Sequence, residues 1–465
     1  MKKSFFILLV NLLLLTACGK DRSGEYYALT QDAHWIEETM MRHYLWNDEM
    51  GEVNKKDFFA KPEDFLQKRV NKRCLEGKGD RFSRIEYKDE ATARATNSVI
   101  SYGFDFELIT DPLKTTQHNF ARVLQVYPNS PAAESGLNRG DWIAEINGEK
   151  LTIKNAQLLN RGGEIVLTRQ TITHSGDSLS WAAKDHLKLP AARFVEKNPF
   201  QKTELLQIEG KKIAYLLYNQ FSTGPNNLPE ETEYVKQMVE IFSQFKAQQP
   251  DNFILDLRFN PGGYLSCAVQ LASLLAPTSA LGKECFELKY NESANPQIES
   301  IAFDTAMGKH NLGLKKLYIL TSSNTASASE ALINGLSPYM GKENIILVGE
   351  QTYGKPVATN LFSSEELNFN LHLVMAFVLN SKGEANYNNG FSPTFPVQET
   401  DITKPLLPLG NPDEYLLNYT LQLITKGIAP QPMEQKVKYQ TLYRSCEKDQ
   451  NTQGLKLNVR TCTQH

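Results

Sequence analysis

The period of the apolar positions changes several times along this chain. A first apolar run, Phe5 to Leu15, follows Lys2-Lys3 and is broken only by Asn11. It is too short to span a bilayer and fits the apolar region of a secretory signal. From Gln31 to about Asn71, Trp35, Ile36, Met40, Tyr44, Leu45, Phe58, Phe59 and Phe65 recur at helix-like spacing and predict a small helical unit whose role is packing. Between Ser101 and about Leu189, short alternating runs are punctuated by turn signals such as Asn147-Gly148, which predicts a compact β-rich module. From Glu204 onward strands and helices alternate. Strands are expected at Ile213 to Leu217, Phe253 to Leu257, Leu317 to Leu320 and Ile345 to Val348, and helices near 231–248, 264–275 and 327–336. That alternation predicts an α/β sheet with covering helices.

The expected organisation is a signal over 1–17, a tether over 18–30, a helical unit over 31–94 and a β-rich module over 95–190. An α/β core over 200–427 follows, then a polar, weakly ordered tail over 428–465. The fold class is multidomain α+β. Composition agrees with a globular chain: of 465 residues 41% are apolar and 22% charged, which excludes disordered, collagen-like and cysteine-scaffold classes. The net charge is −3, and the first 17 residues contribute only the two positive charges of Lys2 and Lys3. A chain without a basic surplus does not suit nucleic acid as a partner.

Leu15-Thr16-Ala17-Cys18 closes the signal. An ordinary signal-peptidase site wants a small residue where Leu15 stands. The four residues resemble the bacterial lipoprotein box, which implies lipidation of Cys18 and a place in the cell envelope, facing the periplasm or the cell surface. The remaining cysteines, Cys74, Cys267, Cys285, Cys446 and Cys462, are odd in number, so at least one lacks an intramolecular partner. Cys446 and Cys462, close in the tail, look like a natural pair. There is no CxxC and no HExxH, so neither a metal nor a cofactor is expected.

In the β-rich module, Ser101-Tyr102-Gly103-Phe104, Ser130-Pro131-Ala132-Ala133, Gly136-Leu137 and Gly140-Asp141-Trp142-Ile143 precede Asn147-Gly148. Ser130 is a good N-cap with Pro131 at the first helical position, and Gly136 can close that helix in the left-handed conformation. The segment resembles a PDZ domain. The resemblance implies that the loop Tyr102, Gly103, Phe104 offers N–H groups to a peptide's C-terminal carboxylate while the peptide adds a strand to the sheet. Asp105 and Glu107 argue against a carboxylate at that place.

Three stretches of the α/β core carry chemistry: Asp256-Leu257-Arg258-Phe259-Asn260-Pro261-Gly262-Gly263, Thr325-Ala326-Ser327-Ala328-Ser329-Glu330 and Gly349-Glu350-Gln351-Thr352-Tyr353-Gly354-Lys355-Pro356. Singly each reads as local punctuation: a turn, a capping box from Ser327 to Glu330, and a loop. In this order, after a PDZ-like module, they resemble the carboxyl-terminal processing peptidases of serine peptidase family S41. The resemblance implies a core like the ClpP/crotonase fold, Ser327 as nucleophile and Lys355 as general base. Ala328 N–H and an N–H of Gly262 or Gly263 would form the oxyanion hole. Many family members carry a glutamine where this chain has Thr359, a departure from the pattern: its hydroxyl could orient the lysine only with a shorter reach, and the substitution is the best support for a silent alternative. Glu330 reads mainly as a helix cap, with lysine orientation as its other role. A lysine serves as base only when neutral, so its pKa must fall by roughly 3 units, about 4 kcal/mol, through burial. The implied partners are protein or peptide substrates bound by their C-termini; the alternative is a catalytically silent peptide-binding lipoprotein. Replacement of Cys18 by Ser should yield an unlipidated chain, whereas mass spectrometry of the wild-type N-terminus should find acyl groups on Cys18. An unmodified wild-type N-terminus would refute the anchor.

Overall fold

The computed structural model describes residues 23–88, 98–175, 178–399, 402, 404–431, 439–446 and 457. The signal segment, Cys18 and Cys462 lie outside them. The N-terminal unit consists of α1 (Ser23–His43), α2 (Pro62–Arg69) and β1 (Arg84–Tyr87). Helix α1 begins eight residues before the expected unit, so residues 23–30 are helical rather than tether. Ala33, Ile36, Met40, Tyr44 and Phe65 share one buried cluster with Leu371, Leu373 and Val374 of a sheet in the α/β core, so the unit packs as part of the larger body.

A short ribbon, β2 (Ser98–Ser101), leads into the module. The module comprises β3 (Phe104–Thr110), β4 (Asn119–Val126), α3 (Pro131–Glu134), β5 (Trp142–Ile146), β6 (Glu149–Lys150), β7 (Ile165–Ser175) and β8 (Ser178–Leu189). The return ribbon β9 (Arg193–Glu196) pairs with β2. Ser130 Oγ accepts from Ala133 N–H at 3.1 Å, with Pro131 at the first helical position, as the sequence predicts. Gly136, Asn147 and Gly148 all have positive φ, which turns the chain sharply at each place.

The core contains β10 (Phe200–Ile208), β11 (Lys211–Tyr218), α4 (Glu233–Gln248), β12 (Asn252–Asp256) and α5 (Leu265–Leu275). Strands β13 (Glu284–Tyr290), β14 (Ile298–Ala302) and β15 (Leu317–Thr321) precede α6 (Ala328–Met340). Then come β16 (Ile345–Gly349), β17 (Val357–Ser363), β18 (Phe369–Leu379), β19 (Phe395–Pro396) and α7 (Tyr415–Lys426). One sheet runs β10-β11-β12-β15-β16-β19 and is parallel from β11 to β19. A second, antiparallel sheet holds β1, β18, β13 and β14, with β17 also on β18. Helices α5 and α6 lie in one continuous apolar cluster with these sheets. Helix α6 runs four residues past its expected end and carries Pro338 in its last turns. The expected elements of the core are otherwise present to within about two residues.

Between module and core lies a buried ionic network. Arg139 donates to both carboxylate oxygens of Glu399, at 2.7 and 2.8 Å, and Arg258 donates to Asp256 Oδ2 and Glu414 Oε1, each at 2.7 Å. Burial pushes Glu399 up, but the guanidiniums of Arg139 and Arg258 outweigh it and hold that carboxyl below its usual range. Burial raises Glu414 to about 7, against the pull of Arg258. Such pairs add little net stability, yet breaking one leaves an uncompensated buried charge, so they fix how the two units meet.

The tail differs from its expected weak order. Residues Thr441–Arg444 form β20, paired antiparallel to β3 at the outer edge of the module's sheet. Leu442 and Tyr443 pack on the module's apolar cluster, and Leu457 is buried in the core cluster. The sequence Thr-Leu-Tyr-Arg is too short a run to announce a strand without its partner.

Candidate active site

Ser327 lies at the junction of β15 and α6, with φ 60° and ψ −109°. A non-glycine residue there stores about 1–3 kcal/mol of strain and persists only when its surroundings hold it. The hold is visible in the preceding loop. Thr325 Oγ1 donates to Leu257 O at 2.8 Å, and Ala326 N–H donates to Asn260 O at 3.1 Å. The loop is thereby fastened to the segment that follows β12. The strained turn places Ser327 at the N-terminus of α6, where the helix dipole favours negative charge.

Glu330, one turn into α6, is fully buried. Its Oε2 accepts from Ser327 N–H and Lys355 N–H, each at 2.8 Å, and its Oε1 accepts from Gly354 N–H at 2.7 Å and Thr352 Oγ1 at 2.6 Å. Four donors fill the acceptor sites of a carboxylate. Burial raises the pKa of this group, and the four donors oppose that rise. Besides capping the helix, Glu330 holds the backbone of Ser327 and the backbone of Lys355 on one oxygen atom.

Lys355 is 3% exposed, and its pKa falls to about 7. Burial is the main cause. The nearby Arg84 lowers it further, as does Arg81, while Asp80 and Glu330 pull it back up. The Nζ stands 4.9 Å from the centroid of the Phe82 ring, which shields one side of the amine from water. Arg81 Nη2 donates to Gly354 O at 3.0 Å, tying this wall to the lysine's own loop. Phe82, Arg81, Arg84 and Asp80 come from the N-terminal unit, which sequence reasoning assigned to packing alone. No local pattern in 80–84 signals the contact, which a chain separation of more than 270 residues produces.

The two glycines considered for the oxyanion hole separate in the structure. Gly262 N–H donates to Asn260 Oδ1 at 2.9 Å, so its hydrogen is already engaged. A Cβ on Gly262 would lie 2.9 Å from Ser327 Cβ and 3.0 Å from Ala328 N, so the absence of one lets the loop after β12 lie against Ser327. Gly263 has φ 138°, and a Cβ there would fall 2.1 Å from Phe221 O. Its N–H and that of Ala328, at the first position of α6 and outside the helix ladder, are the donors that remain.

Thr359 is buried on β17, four residues beyond Lys355, and its carbonyl accepts from Leu457 N–H at 3.4 Å. Tyr102, Gly103 and Phe104 form the turn into β3, far along the chain from Ser327. Tyr102 is fully buried with its hydroxyl on Gly163 O, and Gly103 N–H donates to Ser101 Oγ at 3.1 Å. Cys446 is buried, and its Sγ accepts from Asn324 Nδ2 at 3.2 Å, three residues before Ser327.

The profile of peptidase family S41 matches residues 212–397, that of the peptidase S41 N-terminal domain matches 33–84, and a PDZ domain profile matches 122–168. A crystal structure of a Bacteroides fragilis protein assigned to the S41 proteases superposes with a TM-score of 0.75 at 32% identity, over 85% of this chain and 97% of that one. The carboxyl-terminal-processing protease of Synechocystis sp. is 28% identical over 265 residues, 52% of this chain and 51% of that protein. The carboxy-terminal processing protease CtpA of Bacillus subtilis is 22% identical over 408 residues, covering 86% of this chain and 78% of that one. The chain thus spans about half the length of the cyanobacterial relatives it matches.

The depressed lysine has a cost that can be measured. In the unfolded chain Lys355 binds its proton up to about pH 10.4, but in the folded chain only up to about 7. Below pH 7 folding therefore carries the full penalty, on the order of 4 kcal/mol, which fades as pH rises from 7 toward 10. Lys355→Met should melt at higher temperature than wild type at pH 6, with the gap closing by pH 10. Lysine-selective NMR should show one amine titrating near 7 that the variant lacks. A Lys355 titrating near 10 would contradict the site's electrostatics.

Proposed function

The chain belongs to peptidase family S41, and from that premise we propose that it is a serine endopeptidase working through a Ser327–Lys355 dyad. The observation that carries this reading is the shared carboxylate: Glu330 Oε2 binds the backbone of a strained serine and that of a buried lysine whose pKa is about 7. A lysine at that pKa is substantially neutral at physiological pH and can accept a proton.

The mechanism follows from those positions. Ser327 Oγ attacks the scissile carbonyl carbon while Lys355 Nζ takes its proton. The negative oxygen that forms is met by the N–H groups of Ala328 and Gly263. As the tetrahedral species collapses, the Lys355 ammonium passes its proton to the departing amine and an acyl ester remains on Ser327. Water then attacks the ester, Lys355 accepts its proton and returns it to Ser327 Oγ, and the carboxylic acid leaves. Glu330 orients the lysine's loop through the main chain, whereas Thr359, buried four residues beyond Lys355, replaces the glutamine of many family members and is the feature that favours a silent binder.

Substrates are read by the PDZ-like module. A peptide adds a strand along β3, and its terminal carboxylate meets the turn Tyr102, Gly103, Phe104. The acylated Cys18 holds the enzyme on a bacterial envelope membrane, and no described helix is long and apolar enough to cross one.

Cleavage of an unfolded protein should vanish in Ser327→Ala and in Lys355→Ala, with circular dichroism unchanged, because neither half of the dyad works alone. Lys355→Arg should be equally inactive, since a guanidinium keeps its proton. In the wild type kcat/KM should rise tenfold per pH unit below about 7 and level off above it. Retained activity in any of the three variants would exclude the dyad, and folded wild type that binds peptides without cutting them would mark a silent binder. A second comparison addresses the module. One peptide offered as free acid and as C-terminal amide should differ roughly ten- to hundred-fold in KM, the worth of charge-assisted hydrogen bonds. Equal kinetics would show that the module does not read C-termini.

A further inference from the structure

The edge of β3 that would receive a peptide is occupied by this chain's own tail. Residues Thr441, Tyr443 and Arg444 stand opposite Ile109, Leu108 and Glu107, antiparallel, and thus run toward the turn at Tyr102–Phe104. The ladder continues at both ends: Thr110 N–H donates to Gln440 O at 3.0 Å and Ser445 N–H to Phe106 O at 2.9 Å. The tail's side chains find matched sites. The Tyr443 ring packs edge-on to Phe106 at 5.9 Å, and Leu442 lies on the same apolar cluster. Ser445 Oγ accepts from Phe106 N–H at 2.9 Å and lies 3.1 Å from Asp105 Oδ1, to which it donates. Arg122 Nη2 donates to Tyr439 Oη at 3.0 Å. Asp105, which would repel a terminal carboxylate, thus receives a hydroxyl instead.

The same segment reaches the catalytic unit. Arg444 Nη1 donates to Ser323 Oγ at 2.9 Å and Asn324 Nδ2 donates to Cys446 Sγ at 3.2 Å, both in the loop that ends at Ser327. Farther along, Leu457 N–H donates to Thr359 O on the strand that follows Lys355, and its side chain is buried in the cluster that contains Ala328 and Ala358.

We propose that residues 439–446 are a tethered peptide ligand of the module, which occupies the substrate strand position and restrains the enzyme until a substrate displaces it. The inference rests on the reading of the module as a peptide binder. The tail engages by the same chemistry as a substrate: main-chain ladder bonds give affinity and alternate side chains enter pockets. Because it is tethered, its effective concentration is in the millimolar range, which a free peptide must overcome. Substrates that compete well would present an apolar or aromatic residue over Phe106 and a hydroxyl at Asp105. The ligand class is thus an extended peptide segment rather than a terminal carboxylate alone.

The test uses the full chain carrying Tyr443→Asp and Ser445→Pro, which removes the ring contact, a ladder donor and the hydroxyl without touching the dyad. A fluorescent peptide of sequence Tyr-Gln-Thr-Leu-Tyr-Arg-Ser-Ser, the tail with Cys446 replaced, should bind this variant and should bind wild type at least ten-fold more weakly. The variant should also cleave an unfolded substrate with a KM lower by roughly ten-fold and kcat little changed. Equal binding of the peptide to both proteins, or to neither, overturns the inference. Peptide binding to the variant alone, with no cleavage by either protein, would instead uphold it and overturn the peptidase reading. Should the variant fail to fold, hydrogen exchange on wild type decides: slow exchange at Phe106 and Ser445 is expected, and exchange at the unprotected rate overturns the inference.

Discussion

One buried carboxylate organises the active site. Glu330 sits on α6, yet its four donors come from the turn of Ser327 and from the loop that carries Lys355, which lie on opposite sides of β16 in the sequence. Without it, the strained backbone at Ser327 and the loop 352–355 would have separate minima. Its burial is costly, and the cost is offset only when all four donors are in place, so the carboxylate acts as a check that the Ser327 turn and the Lys355 loop are both correctly folded. The arrangement also settles an apparent conflict. A carboxylate near Lys355 favours the protonated amine, but its oxygens are engaged by three main-chain N–H groups and the Thr352 hydroxyl, and desolvation of the amine outweighs it.

The desolvation has a source outside the catalytic unit. The aromatic ring of Phe82 and the cations Arg81 and Arg84 belong to the N-terminal unit, which shares its core with β18. The unit is thus a wall of the Lys355 pocket, and its apolar packing is the means by which the lysine is kept dry.

How much of this was legible in the sequence varied with the range of the interaction. Local features were readable: the Ser130 cap with Pro131, the turns at Gly136 and Asn147, and the strand and helix alternation from Glu204 onward all appear where chain neighbours decide them. The family motifs pointed to Ser327, Ala328, Gly263 and Lys355, which the structure brings to one corner of the parallel sheet. Three features were legible in part or not at all. Glu330 reads as a helix cap with lysine orientation as its other role, but its bonds to the backbone of loop 352–355 are not visible in its helical pattern. Gly262 loses its N–H to Asn260, a contact two residues away that depends on the side chain's rotamer. The tail reads as polar because its apolar residues, such as Leu442 and Tyr443, are few and scattered, and the partner strand of these two is over 330 residues away.

The central claim is that a neutral Lys355 activates Ser327, and covalent labelling tests it most directly. A fluorophosphonate reacts with a serine only after its proton is removed. The account predicts a single adduct that peptide mapping assigns to Ser327, formed at a rate that is half-maximal near pH 7 and absent in Lys355→Ala. An adduct on another serine, or labelling of Ser327 at an undiminished rate in Lys355→Ala, would contradict it.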